Sequence, residues 1–375
     1  MLPGRSGEGN LKNLFSGIYN NKRVFLTGHT GFKGSWMALW LKSLGAEVYG
    51  YSLPPIYSPA HYNLTNLDIA ETLGDIRDYQ NLNKAISEFK PDMVIHMAAQ
   101  PLVRLSYREP LETFETNVMG TANILNACRT VESVKAIVNI TTDKCYENRE
   151  WVWGYREIDP MGGHDPYSAS KGCAELVASS FRNSFFNIEK YGKDHHVLLS
   201  SVRAGNVIGG GDWSDDRLIP DIMKAVSKNE EVIIRSPKST RPWQHVLDPL
   251  SGYLQIGQKL LEGNTDFAEA WNFGPADEGS ITVLEVVQNI KKSWDKVKYR
   301  IESSGDNLHE ANLLKLDCSK AHMRLKWKSV WDSSKTFEAT TNWYKEYYEN
   351  KRIISEQQLG SFIKDAVNVG HSWTL

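Results

Sequence analysis

The chain has 375 residues, 41% apolar and 23% charged, with a formal net charge of −2. That length buries one large core or two smaller ones, and the near-neutral balance excludes a general nucleic-acid or membrane-surface binder, which needs a basic excess. No apolar run approaches the ~20 residues that span a bilayer.

Residues 1–20 read as an N-terminal extension with no apolar signal core. Arg23 to Thr27 then reads as a buried strand, and Lys33 to Leu44 as a helix with Trp36, Leu39 and Trp40 on one face. Strand patterns follow at Glu47 to Tyr51, Met93 to Met97, Ala136 to Ile140 and Val197 to Val202. Helical patterns separate them at Leu82 to Phe89, Thr113 to Arg129 and Tyr167 to Phe186. Such alternation predicts an α/β fold, a Rossmann-like doubly wound parallel sheet over residues 21–205.

Beyond Arg203 the chain is richer in Gly, Pro and Trp. Short strand patterns lie at Val232 to Ile234 and Trp271 to Phe273, with helical ones at Leu218 to Ser227, Pro249 to Leu261, Thr282 to Trp294 and Lys335 to Tyr348. Residues 206–350 therefore read as a smaller mixed α/β substrate-binding lobe that partly crosses back to the first sheet. Residues 351–375 read as a C-terminal tail. Cys128, Cys145, Cys173 and Cys318 have neither zinc nor disulfide spacing, so no metal site is expected and free thiols in a reducing cytoplasm fit.

Gly28-x-x-Gly31-x-x-Gly34 follows the first strand and opens the first helix. Glycines there allow a tight turn and close backbone approach to a pyrophosphate held at the helix N-terminus. A turn carrying glycines by chance would not need that placement. Tyr167 and Lys171 lie four residues apart, on one helical face. A free tyrosine titrates near ~10; a neighbouring ammonium and a positive nicotinamide favour the phenolate, which can take a hydroxyl proton while hydride leaves the same carbon. Thr142-Asp143-Lys144 ends a central strand, where ligands gather in open sheets. A hydroxyl orients substrate; an added acid and base suit elimination after oxidation.

These motifs, in this order, resemble the short-chain dehydrogenase/reductase family, in its extended, sugar-nucleotide-modifying branch, over about residues 22 to 345. The resemblance implies that NAD is bound by Gly28, Thr30, Gly31, Phe32, Lys33 and Gly34, by Asp75 and Ile76 at the adenine end, by Ala98, Ala99 and Gln100 after the fourth strand, by Asn117, and by Tyr167 and Lys171. One position departs. Where an acidic residue usually holds the adenosine ribose, Ser52 stands before Leu53-Pro54-Pro55, leaving NAD or NADP open there.

Among sugar-nucleotide 4,6-dehydratases, those acting on dTDP-glucose and GDP-mannose carry Thr-Asp-Glu after this strand. Lysine in the third place is expected in those acting on CDP-glucose and in some acting on UDP-N-acetylglucosamine. Gly209-Gly210-Gly211-Asp212-Trp213, Arg241-Pro242-Trp243-Gln244-His245-Val246, Gly31-Phe32-Lys33-Gly34-Ser35-Trp36 and His309-Glu310-Ala311-Asn312 together resemble the branch that takes CDP-D-glucose. That resemblance implies oxidation at C4 by recycled NAD+, loss of water across C5 and C6, and hydride return to C6. The product is CDP-4-dehydro-6-deoxy-D-glucose, which feeds deoxysugars of surface polysaccharides such as O-antigen. Thr142, Asp143, Lys144, Tyr167 and Lys171 are then catalytic, with Asn206, Arg217, Arg235 and Arg241 at the substrate. Relatives dimerise through helices like Thr113 to Arg129 and Tyr167 to Phe186, implying a homodimer or tetramer. A 4-epimerase, a dehydratase for UDP- or dTDP-sugars, and a sensor that kept the fold without catalysis are the alternatives.

Overall fold

The computed structural model describes residues 11–234, 237–275, 280–302 and 313–375. Residues 1–10 of the expected extension, Arg235 and the stretch His309 to Asn312 lie outside the described residues.

The strands in chain order are β1 (Arg23–Thr27), β2 (Glu47–Ser52), β3 (Ala70–Leu73), β4 (Met93–His96), β5 (Ala136–Ile140), β6 (Leu198–Ala204), β7 (Asn206–Ile208), β8 (Glu231–Ile234), β9 (Thr240–His245), β10 (Ala270–Phe273), β11 (Ser280–Thr282) and β12 (Lys298–Ile301). Seven of them form one parallel sheet in the order β10-β6-β5-β4-β1-β2-β3. The order reverses between β1 and β4, and the crevice beyond the carboxyl ends of those strands is where such sheets take ligands. Two small sheets, β11-β9-β7 and β12-β8, belong to the second half of the chain.

Alternation along the strands builds a core on each face. Val24 and Leu26 of β1 and Met93 and Ile95 of β4 pack with Trp36, Trp40 and Leu254 on one side. Phe25 and Val94 pack with Ile86 and Ile124 on the other. Because both faces are covered, β4 and β5 are buried at every position, which is why they read as unbroken apolar runs.

Several elements depart from the sequence-based expectation, each for a physical reason. β3 is an edge strand with mostly exposed side chains, so it has no apolar run and is fixed by pairing with β2. The Thr113 to Arg129 stretch is not one helix: a π-helical turn, Glu115–Met119, separates Pro110–Phe114 from Gly120–Thr130. β6 continues past Val202 because the charge of Arg203 is paired inside the core. Residues 351–375, expected as a tail, contain the helix Ser355–Asn368, whose Leu359, Phe362, Ile363 and Ala366 are buried at helical spacing. Phe362 meets Trp40 edge-on at 5.8 Å, and Trp373 stacks on Phe15 at 5.2 Å. Phe15, from the expected N-terminal extension, is thus core. Among the described residues no helix is long and apolar enough to cross a membrane.

Candidate active site

The cradle comes first in the chain. After β1 the backbone turns at Gly28, whose φ of +75° favours glycine. A Cβ on Gly28 would lie 2.7 Å from the Ala98 nitrogen, and one on Gly34 would lie 2.0 Å from the Gly28 carbonyl oxygen. Thr27 Oγ1 accepts the amides of Met97 and Ala98, both at 3.1 Å, and fixes the opposite wall. The helix Phe32–Ser43 starts at Gly31 with no side-chain cap, so its first amide N–H groups remain for a ligand. Close backbone packing, uncapped amides and the helix dipole together fit a dinucleotide pyrophosphate.

On the adenine side, Thr30 Oγ1 donates to the Leu53 carbonyl at 2.8 Å and lies 2.8 Å from Ser52 Oγ, which is therefore the donor between them. Burial pushes the Asp75 carboxyl up, but hydrogen bonds from Arg77, at 2.6 and 2.8 Å to Oδ2, hold it below the usual range.

A single cleft of about 590 Å³ joins this cradle to the ends of β5 and β6 and to the second half of the chain. Thr142, Asp143, Lys144, Tyr167 and Lys171 line it, together with Asn206, Arg217 and Arg241. Asp165 caps the helix Pro166–Ser184 by accepting the Ser168 amide at 2.9 Å, with proline at the first turn. That start sets Tyr167 and Lys171 at the cleft wall.

The electrostatics divide the groups. Burial pushes the Tyr167 phenol up to about 12, the reverse of the lowering expected from the sequence; a hydrogen bond with Thr142 and the charge of Arg217 oppose the rise. Burial brings Lys171 down to about 8, opposed by Glu175. Asp143 is buried, and that pushes its carboxyl up against the pull of Lys144, the Thr142 hydroxyl and Arg241. Thr142 donates to Asp143 Oδ1 at 2.9 Å. A carboxyl so placed tends to keep its proton, as a general acid must.

Other expected residues divide between the cleft and the wall behind it. The backbone of Lys33 belongs to the cradle, but its ammonium lies 5.9 Å from the Tyr253 ring centroid, among the catalytic charges. Burial, then Arg217 and Lys171, bring it down to about 8, with Asp143 opposing. Gln100 and Asn117, expected at the cofactor, do not line the cleft. Asn117 accepts the Gln100 amide at 2.8 Å and donates to Ser170 Oγ at 2.8 Å, bracing the wall from behind. Arg217 donates to buried Asp212 at 3.0 Å. Arg241 donates to the Thr240 carbonyl at 2.8 Å. Cys145 is buried, which pushes its thiol up and leaves it inert. Trp327 and Trp331 are packing aromatics, both buried.

Sequence reasoning missed two features. Arg104 pairs with Asp216 at 3.3 Å, and both line the cleft; nothing in the sequence joins them. Glu175 and Arg203 form a buried pair behind the site at 2.8 Å. Their signal was present: Glu175 follows Lys171 by four residues, and Arg203 interrupts an apolar strand.

This sheet order, with Thr142, Asp143, Lys144, Tyr167 and Lys171 gathered in one cleft beside a glycine-rich cradle, is that of an extended short-chain dehydrogenase/reductase. A sequence profile described as GDP-mannose 4,6 dehydratase matches residues 25–340, and the chain belongs to that family. It is 53% identical over 350 residues to the CDP-glucose 4,6-dehydratase of Salmonella typhimurium, covering 92% of this chain and 97% of that one. To the human dTDP-D-glucose 4,6-dehydratase it is 25% identical over 351 residues, covering 89% and 93%. Among solved structures, UDP-glucose 4-epimerase from Brucella ovis in complex with NAD superposes with a TM-score of 0.72 at 20% identity, covering 85% of this chain and 97% of that one. That likeness speaks for the fold alone.

Proposed function

We propose that this protein dehydrates CDP-D-glucose to CDP-4-dehydro-6-deoxy-D-glucose, with NAD as a recycled cofactor. The observation that carries the reaction type is one cleft holding the Tyr167–Lys171 pair beside buried Asp143 and half-buried Lys144. Identity of 53% over 97% of the relative named CDP-glucose 4,6-dehydratase supports the nucleotide. An epimerase has no task for Asp143 and Lys144.

When bound, NAD supplies the hydride acceptor for C4 and the donor for C6. Tyr167 takes the C4 hydroxyl proton, Thr142 orients that hydroxyl, and the Lys171 ammonium favours the phenolate. The C4 ketone acidifies the C5 hydrogen, which Lys144 removes. Asp143 gives its proton to the departing C6 hydroxyl, so the C5–H and C6–O bonds break, a C5–C6 double bond forms and water leaves. Lys144 returns a proton to C5, Tyr167 releases the proton it took, and Asp143 regains one, both by exchange with solvent through the cleft. The balance is loss of one water with no net redox change.

Arg217 and Arg241, both in the cleft, are suited to the diphosphate through their planar forks, and Asn206, at the start of β7, lines the same cleft. Arg235 belongs to the same set by sequence. The reading extends to a homodimer or tetramer in the cytoplasm: Leu111, Met119 and Leu176 are exposed on or beside the helices expected to pair, and all four thiols are free. The product suits deoxysugar synthesis for surface polysaccharides.

The test is incubation with NAD+ and CDP-, dTDP-, UDP- or GDP-linked hexoses in parallel. A 4-keto-6-deoxy product from CDP-glucose without net NADH is expected. Turnover of the dTDP- or UDP-sugar in its place would overturn the nucleotide assignment.

A further inference from the structure

Behind the catalytic wall lies a buried charge pair that the mechanism does not use. Tyr167, Lys171 and Glu175 follow one another at four-residue steps and share a helix face. Glu175 is 4% exposed and its partner Arg203, on β6, 3%. Arg203 Nε and Nη2 donate to the two carboxylate oxygens at 2.9 and 2.8 Å. Thr141, the residue before Thr142, also donates its hydroxyl to Glu175. The remaining Arg203 nitrogen donates to Tyr146 OH at 2.5 Å and to the Glu157 carbonyl at 3.2 Å. Tyr146 passes the chain on to Asn272 of β10 at 2.8 Å, and Asn272 donates to the Asp317 carbonyl at 3.1 Å.

One carboxylate therefore touches all three segments that carry the chemistry: the Tyr167–Lys171 helix, the β5 end that continues into Thr142, Asp143 and Lys144, and β6, which leads to Gly205 and Asn206. A buried ion pair is rarely the cheapest way to stabilise a core; well-packed apolar residues often do as well or better. Its fixed geometry and its field are what apolar residues cannot supply. We propose that Glu175 is a positioning residue of this active site, holding the three segments in register and placing a negative charge behind Lys171.

The charges around Lys171 fit this. Glu175 and Cys145 oppose the burial that brings Lys171 down to about 8. From the other side, Lys171 lowers the proton affinity of His96 on β4 and of Lys33 on the first helix. Glu175 itself stays below the usual carboxylate range: burial pushes it up, and Arg203, Thr141 and Arg182 outweigh that. Without Glu175, Lys171 keeps the repulsion of Lys33 and loses the counter-charge that opposes its burial. Its ammonium would then be lost at lower pH, and with it the support for the Tyr167 phenolate.

The inference rests on the roles given to Tyr167 and Lys171 above. Its test is the pH dependence of kcat for wild type, Glu175→Gln, Arg203→Met and the neutral pair Glu175→Gln/Arg203→Met, each checked for folding by thermal melt. The alkaline limb should move to lower pH in Glu175→Gln, by about one unit, so that about tenfold of activity is lost on that limb. It should move to higher pH in Arg203→Met, and the neutral pair should fall between wild type and Glu175→Gln. Opposite shifts from two halves of one ion pair are not produced by loose packing. If a single variant fails to fold, the neutral pair decides: a limb below that of wild type supports the inference, and an unchanged limb overturns it. Equal or same-direction shifts in both single variants overturn it too. A wild-type protein that does not turn over CDP-glucose overturns the functional reading, and this inference with it; wild-type turnover with unmoved variants overturns only the inference.

Discussion

Asp143 Oδ2 lies so close to Gly205 that a Cβ on the glycine would sit 2.9 Å from it. The strand end of β6 thus confines the carboxyl that Thr142 holds from the other side at 2.9 Å. Confinement, burial and the raised proton affinity of Asp143 are one arrangement. In Gly205→Ala the carboxyl, being the free end of a side chain, gives way at little cost to the fold, but it leaves the line to the C6 hydroxyl. A fall in kcat of about 100-fold is expected with an almost unchanged Tm. Wild-type kcat in that variant would show that the glycine does not set the acid's position.

In the proposed mechanism Asp143 and Lys144 act after oxidation. Asp143→Asn and Lys144→Ala should therefore oxidise CDP-glucose and stall, so reduced nicotinamide builds up on the enzyme while product formation falls by about 10²- to 10⁴-fold. The pH dependence has a definite sign. Burial raises the Asp143 carboxyl, so its acid form lasts to higher pH than a free aspartate's and is lost as pH rises through that raised value. The elimination step, read by quenching single turnovers, should fade on the same limb while oxidation continues. Parallel loss of both steps in Lys144→Ala would refute its role as base.

Lys33 is held in the cleft at a cost. Its ammonium falls from 10.5 to about 8 on folding, so between those values the unfolded chain binds more protons and stability rises with pH. Below about 8 the charged amine is carried at full cost. Lys33→Met should stabilise the fold near neutral pH, by on the order of 1–2 kcal/mol once water in the cleft is allowed for, and the gain, read as a raised Tm, should shrink as pH approaches 10.5. A thermal-melt series across pH checks it, and a destabilised variant would contradict it.

Ser52, at the end of β2, is a neutral hydroxyl already engaged by Thr30 at 2.8 Å. A carboxylate at the second strand's end is the usual ribose anchor, so Ser52→Asp should bind NAD+ about tenfold more tightly and discriminate against NADP+. Equilibrium titration by protein fluorescence measures both. Unchanged NAD+ affinity would place the ribose away from Ser52.

The sequence was most informative where one residue type has one physical use. β4 and β5 are buried on both faces and could only read as apolar runs. Gly28 and Gly34 stand where any side chain would collide with backbone. Tyr167 and Lys171 were legible because a helix fixes four-residue neighbours. Contacts between distant segments were not legible. Glu175 and Arg203 are 28 positions apart, and they meet because the helix Pro166–Ser184 packs against β6. The helix Ser355–Asn368 was passed over because its face is completed by Trp40 from the other end of the chain. Gln100 and Asn117 have the right neighbours for cofactor contact, but the Asn117 side chain is spent on the Gln100 backbone and the Gln100 side chain on Leu102 and Thr113.

The most direct measurement follows the hydrogen at C4. With CDP-glucose deuterated there and unlabelled NAD+, the account predicts a 4-keto-6-deoxy product that carries the deuterium at C6, one solvent hydrogen at C5 and no accumulated NADH. Deuterium released to the reduced cofactor pool, or a product epimerised at C4 with its C6 hydroxyl intact, would contradict the coupling of Tyr167–Lys171 to Asp143 and Lys144 in one site.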